Sequence, residues 1–466
     1  MRIKNVFSTK NMVNDEFIVG DIPSSKEAYK TSLNIAFPSV IEMVSMSLIG
    51  MVSTAMVSQL GYGAVAAVGL VGQPRMLFMS LLFALNVGVT AVISRRKGQG
   101  DQMAARLCLR QAVLIGLAIS VVMSILAIIM ARPLMLFAGA QPDTIELASS
   151  YFRIIMLVMP LNALTMTISA AQRGIGNTRV TMVVNVVANI VSVIFHFLLI
   201  DGNFGFPALG VDGAAIAVAI SGFAGLVMAL GYIIKSDAYL KVSFRDNWRP
   251  DLPMIKSIAK IGGNSIIEQL FLRVGFFLYA MIVARLGTLA FASHQIAMQL
   301  MMLSFTFGDG IAVATTALVG QGLGAKRPDL SMMYGKIGTR LAFIVSVVLA
   351  TFTFTARFWF PTMFTNDPYI ITTVAGLLVI LAIMQPIQTT QLVMAGSLRG
   401  SGDTKFVAFT MLLSVAIARP LFSAIMVYLL GFGIQGAWVA VIIDQTLRLV
   451  MLYGRFAKGK WMEIKI

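Results

Sequence analysis

Residues 265–303 read SIIEQLFLRVGFFLYAMIVARLGTLAFASHQIAMQLMML. Moving back 226 positions recovers much of the same pattern, with Ser39, Ile41 and Glu42 standing for Ser265, Ile267 and Glu268. Val57, Leu60, Gly61, Ala64, Ala66, Gln73, Met76 and Leu77 likewise stand for Val283, Leu286, Gly287, Ala290, Ala292, Gln299, Met302 and Leu303. The same offset carries Thr90-Ala91 onto Thr316-Ala317, Pro160 onto Pro386, and AQRGIGNTR (171–179) onto SLRGSGDTK (397–405). After a slip of three residues, GVDGAAIAV (210–218) meets GIQGAWVAV (433–441). A constant offset held this long means two copies of one unit, and such a repeat decides the architecture before any single helix does.

The 466 residues are 58% hydrophobic and 12% charged, against roughly 25% charged in a soluble domain. The chain therefore reads as an integral membrane protein. With about 20 apolar residues needed per crossing, the expected spans are 34–58, 66–93, 110–131, 148–170, 180–200, 212–234, 260–284, 290–319, 338–360, 371–395, 405–429 and 434–454. The expected fold is all-α: twelve transmembrane helices in two six-helix bundles. Six is even, so both copies enter from the same side, and the halves should be related by a pseudo-two-fold axis along the membrane normal. The expected parts are an N-terminal segment (1–33), an N-lobe (34–234), an inter-lobe linker (235–259), a C-lobe (260–454) and a tail (455–466).

A formal net charge of +16 could suggest nucleic acid, but its placement argues otherwise. Of 36 Lys and Arg, 28 fall in alternate segments between spans. Basic residues gather on the cytoplasmic side, so both termini are expected there in a multi-pass protein of the cell membrane. Membrane lipids, not nucleic acid, are the expected partners of that charge. The first thirty residues lack the apolar core of a signal peptide, which leaves the first span to direct insertion. Pro38, Pro160 and Pro386 should bend or break their helices. The paired RGxGxT segments should form tight turns, with Arg173 and Arg399 anchored at the headgroups.

Several motifs now stand in order: QLGYGAVAAVG and RLGTLAFASHQI after the first and seventh spans, RGxGxT after the fourth and tenth, and GxxGA entering the sixth and twelfth. Together they resemble the multidrug and toxic compound extrusion (MATE) family over about residues 30–461. The resemblance implies secondary export of amphipathic, often cationic compounds, driven by inward Na⁺ or H⁺. It also implies a large cleft between two lobes that opens alternately to each side. This chain departs from the family pattern at three places. Ser53 stands where many members carry an Asp in the first span, Ser192 and His196 stand where many carry an Asn and an Asp in the fifth, and the tenth span carries Gln385, Gln388 and Gln391 where some sodium-coupled members have an acid.

Ionisable groups within spans cost at least ~2.5–3.5 kcal/mol each, which makes every one a functional candidate. Glu42 and Glu268 precede Gly61 and Gly287 by 19 residues, or roughly 28 Å of helix, which sets them near the cytoplasmic ends of their spans. Each is either an ion-coupling carboxylate or a glutamate capped by a neighbouring helix. His196 could take the missing aspartate's place as a protonation site, or be a core histidine bonded to a Ser or a carbonyl. Asp309 is a further coupling candidate, paired by expectation with Arg273 on the preceding span. Asp444 and Arg448 stand i, i+4 and can pair directly; with Arg419 they make an expected structural charge network. Arg273, Gln295, Met298, Tyr279 and Gln388 are the expected lining of the substrate cleft, since flexible Met and aromatic side chains accept varied cationic ligands.

No catalytic constellation, nucleotide loop or metal cluster is apparent, so the chain reads as no enzyme, without cofactor beyond a coupling H⁺ or Na⁺, H⁺ being preferred. The expected function is a cation-coupled antiporter exporting small amphipathic molecules, as a monomer. The alternative is a flippase for a lipid-linked saccharide.

Overall fold

A computed structural model describes residues 8–13, 17–235, 238–243 and 245–464. The long helices, in chain order, are α1 (Ser25–Ser58), α2 (Tyr62–Gly98), α3 (Gln102–Ile129), α4 (Ile145–Leu157), α5 (Met159–Gly174), α6 (Thr178–Ile200) and α7 (Gly210–Ile234). They continue as α8 (Leu252–Ala284), α9 (Thr288–Gly324), α10 (Pro328–Thr355), α11 (Pro368–Ser401), α12 (Thr404–Leu429) and α13 (Gly433–Ala457). Among the described residues eleven are long and apolar enough to cross a membrane alone, and α4 with α5 makes the twelfth as a pair bent by 47°. The bend sits at Val158, two residues before Pro160. Proline has no N–H to continue the ladder, and its ring crowds the preceding turn. Its repeat mate Pro386 lies inside the unbroken α11.

The contacts divide the chain into two compact units, one of Ile41–Gly263 and one of Met1–Val40 with Asn264–Ile466. The divisions fall inside α1 and α8. Residues 235–259 thus group with the first unit and the chain up to Val40 with the second, whereas the expected lobes began at 34 and 260.

Each unit is built on one close helix crossing, and the two crossings are copies. In the first unit Thr90 Oγ1 of α2 donates to the Ala170 carbonyl of α5 at 3.1 Å. A Cβ on Gly174 would stand 3.0 Å from the Thr90 carbonyl. In the second unit Thr316 Oγ1 of α9 donates to the Gly396 carbonyl of α11 at 2.8 Å, and a Cβ on Gly400 would stand 2.2 Å from the Thr316 carbonyl. Small residues four apart let membrane helices meet backbone to backbone. The first glycine of each RGxGxT segment therefore serves the crossing. The second, Gly176 or Gly402, makes the turn at φ 84° or 90°, a left-handed backbone that glycine adopts without penalty.

The core of the first unit gathers Val71, Leu82, Met135, Phe152 and Met156. In the second unit one cluster gathers Leu300, Leu377, Leu381, Met384 and Trp438, and another Val319, Met394, Leu398, Leu452 and Phe456. The chain before α1 belongs to the second unit: Met12 and Val13 are buried with Met333 and Ile337 of α10. Arg327 clamps it, reaching the Asp21 carbonyl at 2.8 Å and Asp329 at 2.7 Å.

Candidate ion and substrate site

In the first unit Glu42 is buried, and the crossing delivers Arg173 to it. Arg173 Nη1 donates to Oε1 at 3.0 Å, Asn185 Nδ2 to Oε1 at 2.7 Å and Thr181 Oγ1 to Oε2 at 2.7 Å. Both oxygens are occupied, which fixes the carboxylate in place. Arg173 therefore meets a carboxylate 131 positions away instead of serving only as a headgroup anchor.

The second unit repeats the ion pair. Arg399 donates through Nη2 and, at 3.4 Å, through Nε to the buried Glu268. The Thr and Asn that complete the first site have no counterparts at Glu268, for Val407 and Met411 stand at the repeat positions of Thr181 and Asn185. Asp309 of α9 is instead within electrostatic reach of both Arg399 and Glu268. Its side chain is exposed and forms no hydrogen bond or ion pair among the described residues. It does not meet Arg273, which is also exposed and has no ion pair or hydrogen bond among the described residues. Helical rise explains this. Counting from Gly287, Arg273 stands 14 residues back and Asp309 22 residues on, so the two differ in height by roughly 12 Å. Glu268, 19 residues back, stands within roughly 5 Å of the height of Asp309.

A second buried network lies beside the first. Asp444 of α13 accepts from Arg419 Nε at 2.5 Å and from Arg448 Nη2 at 2.6 Å. Arg448 Nε also donates to Ser414 Oγ at 3.2 Å, and Arg448 feels the charge of Glu268. Two wide π-helical stretches, Leu412–Ala418 and Ile425–Leu429, flank Arg419 in α12. Such insertions shift the register of a helix, and here they bracket the arginine. Its guanidinium lies 4.5 Å from the centre of the Phe276 ring and 5.9 Å from that of Tyr279. Glu268, Asp309 and Asp444 against Arg399, Arg419 and Arg448 make a balanced set, three acids to three bases.

Asp309 also belongs to a stripe. Gln295, Gln299, Met302, Thr306 and Asp309 recur every three or four residues on α9 and are exposed or half-exposed. The stripe has a copy on α2 in Gly69, Gln73, Met76, Ser80 and Phe83, where Phe83 stands in place of Asp309. At the end of the α2 stripe nearest Gly61 opens a cleft of about 720 Å³ lined by Gly69, Leu70, Gln73, Gln141 and Asp143, a volume that suits a drug-sized ligand.

The profile of the MatE family matches residues 38–198 and, separately, 265–425. The chain belongs to the MATE family. It is thus a transporter with the twelve-helix MATE fold, and the two matches restate its internal repeat. It is 28% identical to the uncharacterized transporter YisQ of Bacillus subtilis, over 92% of this chain and 94% of that one. It is also 28% identical to a probable multidrug resistance protein NorM of Thermotoga maritima, over 93% of each. A solved structure described as the outward-facing conformation of a multidrug resistance MATE family transporter superposes with TM-score 0.87 at 22% identity, covering 94% of this chain and 97% of that one. A MOP superfamily transporter from Pyrococcus furiosus gives the same TM-score, identity and coverage.

The other expected site residues of this MATE chain are scattered. His196 is buried, its Nδ1 2.7 Å from the Ser192 carbonyl, which places the proton on Nδ1. Tyr279 and Gln388 lie in the interior of the second unit and not on an exposed face, while Gln295 is exposed and Met298 half-buried. Gln388 belongs to a buried row with Gln385 and Gln391; both amide atoms of Gln388, Gln391 and Gln445 lack hydrogen-bond partners among the described residues. His294 was not among the sequence candidates. It is buried, accepts from Trp438 Nε1 at Nδ1 at 3.2 Å, and packs edge-on against Tyr279 with ring centres 5.6 Å apart. Its one signal in the sequence is the repeat itself, which puts Val68 at the matching position.

Proposed function

We propose that the chain exports small amphipathic, cationic compounds in exchange for protons, with Asp309 as the group for which substrate and proton compete. The observation that carries this is a carboxylate without a fixed partner, exposed on a polar stripe of a membrane helix. A stripe with two glutamines, a threonine and an aspartate is costly against hydrocarbon, so it faces water or cargo. Ionised, Asp309 attracts a cation. Protonated, it releases one, and Glu268 alone then balances Arg399. Proton and cation thereby favour different states of the transporter, which is the differential affinity that alternating access requires. The unpartnered amides of Gln388, Gln391 and Gln445 supply polar interior along the same unit. In this reading the protein works as a monomer in the cell membrane with both termini cytoplasmic, and its basic segments rest on lipid headgroups.

The test is uptake of a fluorescent cation into proteoliposomes under separately imposed pH and Na⁺ gradients, for the wild type, Asp309→Asn, Glu268→Gln and His196→Ala. A pH gradient should drive the wild type, and Asp309→Asn should abolish the driven component. If neither gradient drives uptake, the exporter reading fails.

A second reading, a flippase for a lipid-linked saccharide, draws support from Arg273. An exposed, unpaired arginine midway along α8 suits a phosphate better than a cation. Arg273→Gln should raise cation transport under the first reading and abolish lipid flipping under the second.

A further inference from the structure

Between α3, α5 and α7 of the first unit lies a cavity of about 190 Å³, lined by Val113, Leu164, Ile168 and Leu230 together with Arg110 and Trp248. The segment that carries Trp248 is tied down. Gln102 and Arg106 donate to the Tyr239 carbonyl at 3.0 Å each, Arg110 Nη1 to the Asn247 carbonyl at 3.0 Å, and Gln111 Nε2 to the Arg249 carbonyl at 2.9 Å. Lys97 caps the Tyr239 ring at 3.7 Å. Four side chains on about two and a half turns of α3 thus hold the described residues 239–243 and 245–249 as a strap across the helix ends.

The strap and its anchors carry Lys97, Arg106, Arg110, Lys241, Arg245 and Arg249 against one acid of the strap, Asp246, and Arg110 lines the apolar hole itself. Arg110 Nε is buried and has no hydrogen-bond partner among the described residues, although Nη1 is satisfied. A guanidinium N–H left unpaired in the wall of an apolar cavity calls for an anionic acceptor. Trp248 donates through Nε1 to the Ser243 carbonyl at 3.2 Å while its ring lines the cavity, the amphipathic setting tryptophan takes at a membrane interface.

We propose that this cavity receives part of one acyl chain of an anionic phospholipid, whose phosphate is held by Arg110 and the basic strap. The volume admits a stretch of a chain and not a whole lipid, so the remainder of the molecule lies along the exposed Ile234 of α7. The proposal requires only that the chain be inserted in a membrane, and so stands apart from the transport reading. Its consequence is that the segment joining the two copies is braced by a lipid of one charge class.

Trp248 supplies the measurement. The protein is placed in nanodiscs containing phosphatidylglycerol or phosphatidylcholine brominated in the acyl chain, and the Trp248 emission is isolated by difference against Trp248→Phe. Brominated phosphatidylglycerol should quench that component at about five-fold lower mole fraction than brominated phosphatidylcholine, the preference one interfacial arginine supplies. Arg110→Gln should erase the preference while quenching persists, and Ile168→Phe should abolish quenching by filling the hole. Trp248→Phe serves as the reference once its melting temperature matches the wild type. Equal quenching by both lipids overturns the proposal in favour of ordinary boundary lipid. Absence of quenching shows that no chain enters. Relief of quenching by the fluorescent cation of the transport assay shows a substrate subsite instead of a lipid site.

Discussion

Glu42 and Glu268 occupy the same place in the two copies, yet Glu42 accepts from an arginine, a threonine and an asparagine, and Glu268, among the described residues, from an arginine alone. The first is locked; the second shares its arginine's field with Asp309. Glu42→Gln strands a half-buried Arg173, and removing one partner of a buried pair costs about 3–5 kcal/mol. Glu268→Gln should cost less, because Asp309 still offsets Arg399, but should impair driven transport more. Thermal unfolding of the purified variants, set beside transport per folded molecule, checks both orders.

Asp444 neutralises two arginines at once. Asp444→Asn leaves two buried cations without a carboxylate, whereas Arg419→Gln leaves a one-to-one pair with Arg448. The first should destabilise by about 3–5 kcal/mol and the second by clearly less. Urea or thermal melts of the two variants decide it; equal losses would remove the shared-acid account of this network.

Gly400→Ala should destabilise by about 1–3 kcal/mol through overpacking, because the added methyl would meet the Thr316 carbonyl at 2.2 Å. Gly174→Ala, with 3.0 Å to the Thr90 carbonyl, should be milder. Gly63→Ala, with nothing within 4 Å, is the control for both. A fall in melting temperature in the order Gly400, Gly174, Gly63 is the expected result.

The repeat offset and the hydropathy were enough to read two copies, twelve spans and the membrane setting. The contents of the site were less legible. Glu42, Glu268, Arg173 and Arg399 each stood out, but their pairing depends on how closely α5 approaches α2 and α11 approaches α9, which is set by Gly174 and Gly400 acting across helices. Arg273 and Asp309 lie on adjacent spans, and adjacency suggested a contact that axial height forbids. The same count of helical rise favours Glu268 as the neighbour of Asp309. His294 was hidden because nothing in its own stretch names a partner, and only the edge-on packing against Tyr279 and the bond from Trp438 reveal it.

The central claim is that Asp309 links cargo to protons. The measurement that bears on it most directly compares two modes in the same proteoliposomes: accumulation of a fluorescent cation driven by a pH gradient, and exchange of that cation at equal pH on both sides. For Asp309→Asn, driven accumulation should fall to the protein-free level while a melting temperature close to wild type shows the fold intact. Undiminished driven accumulation in that variant would contradict the account.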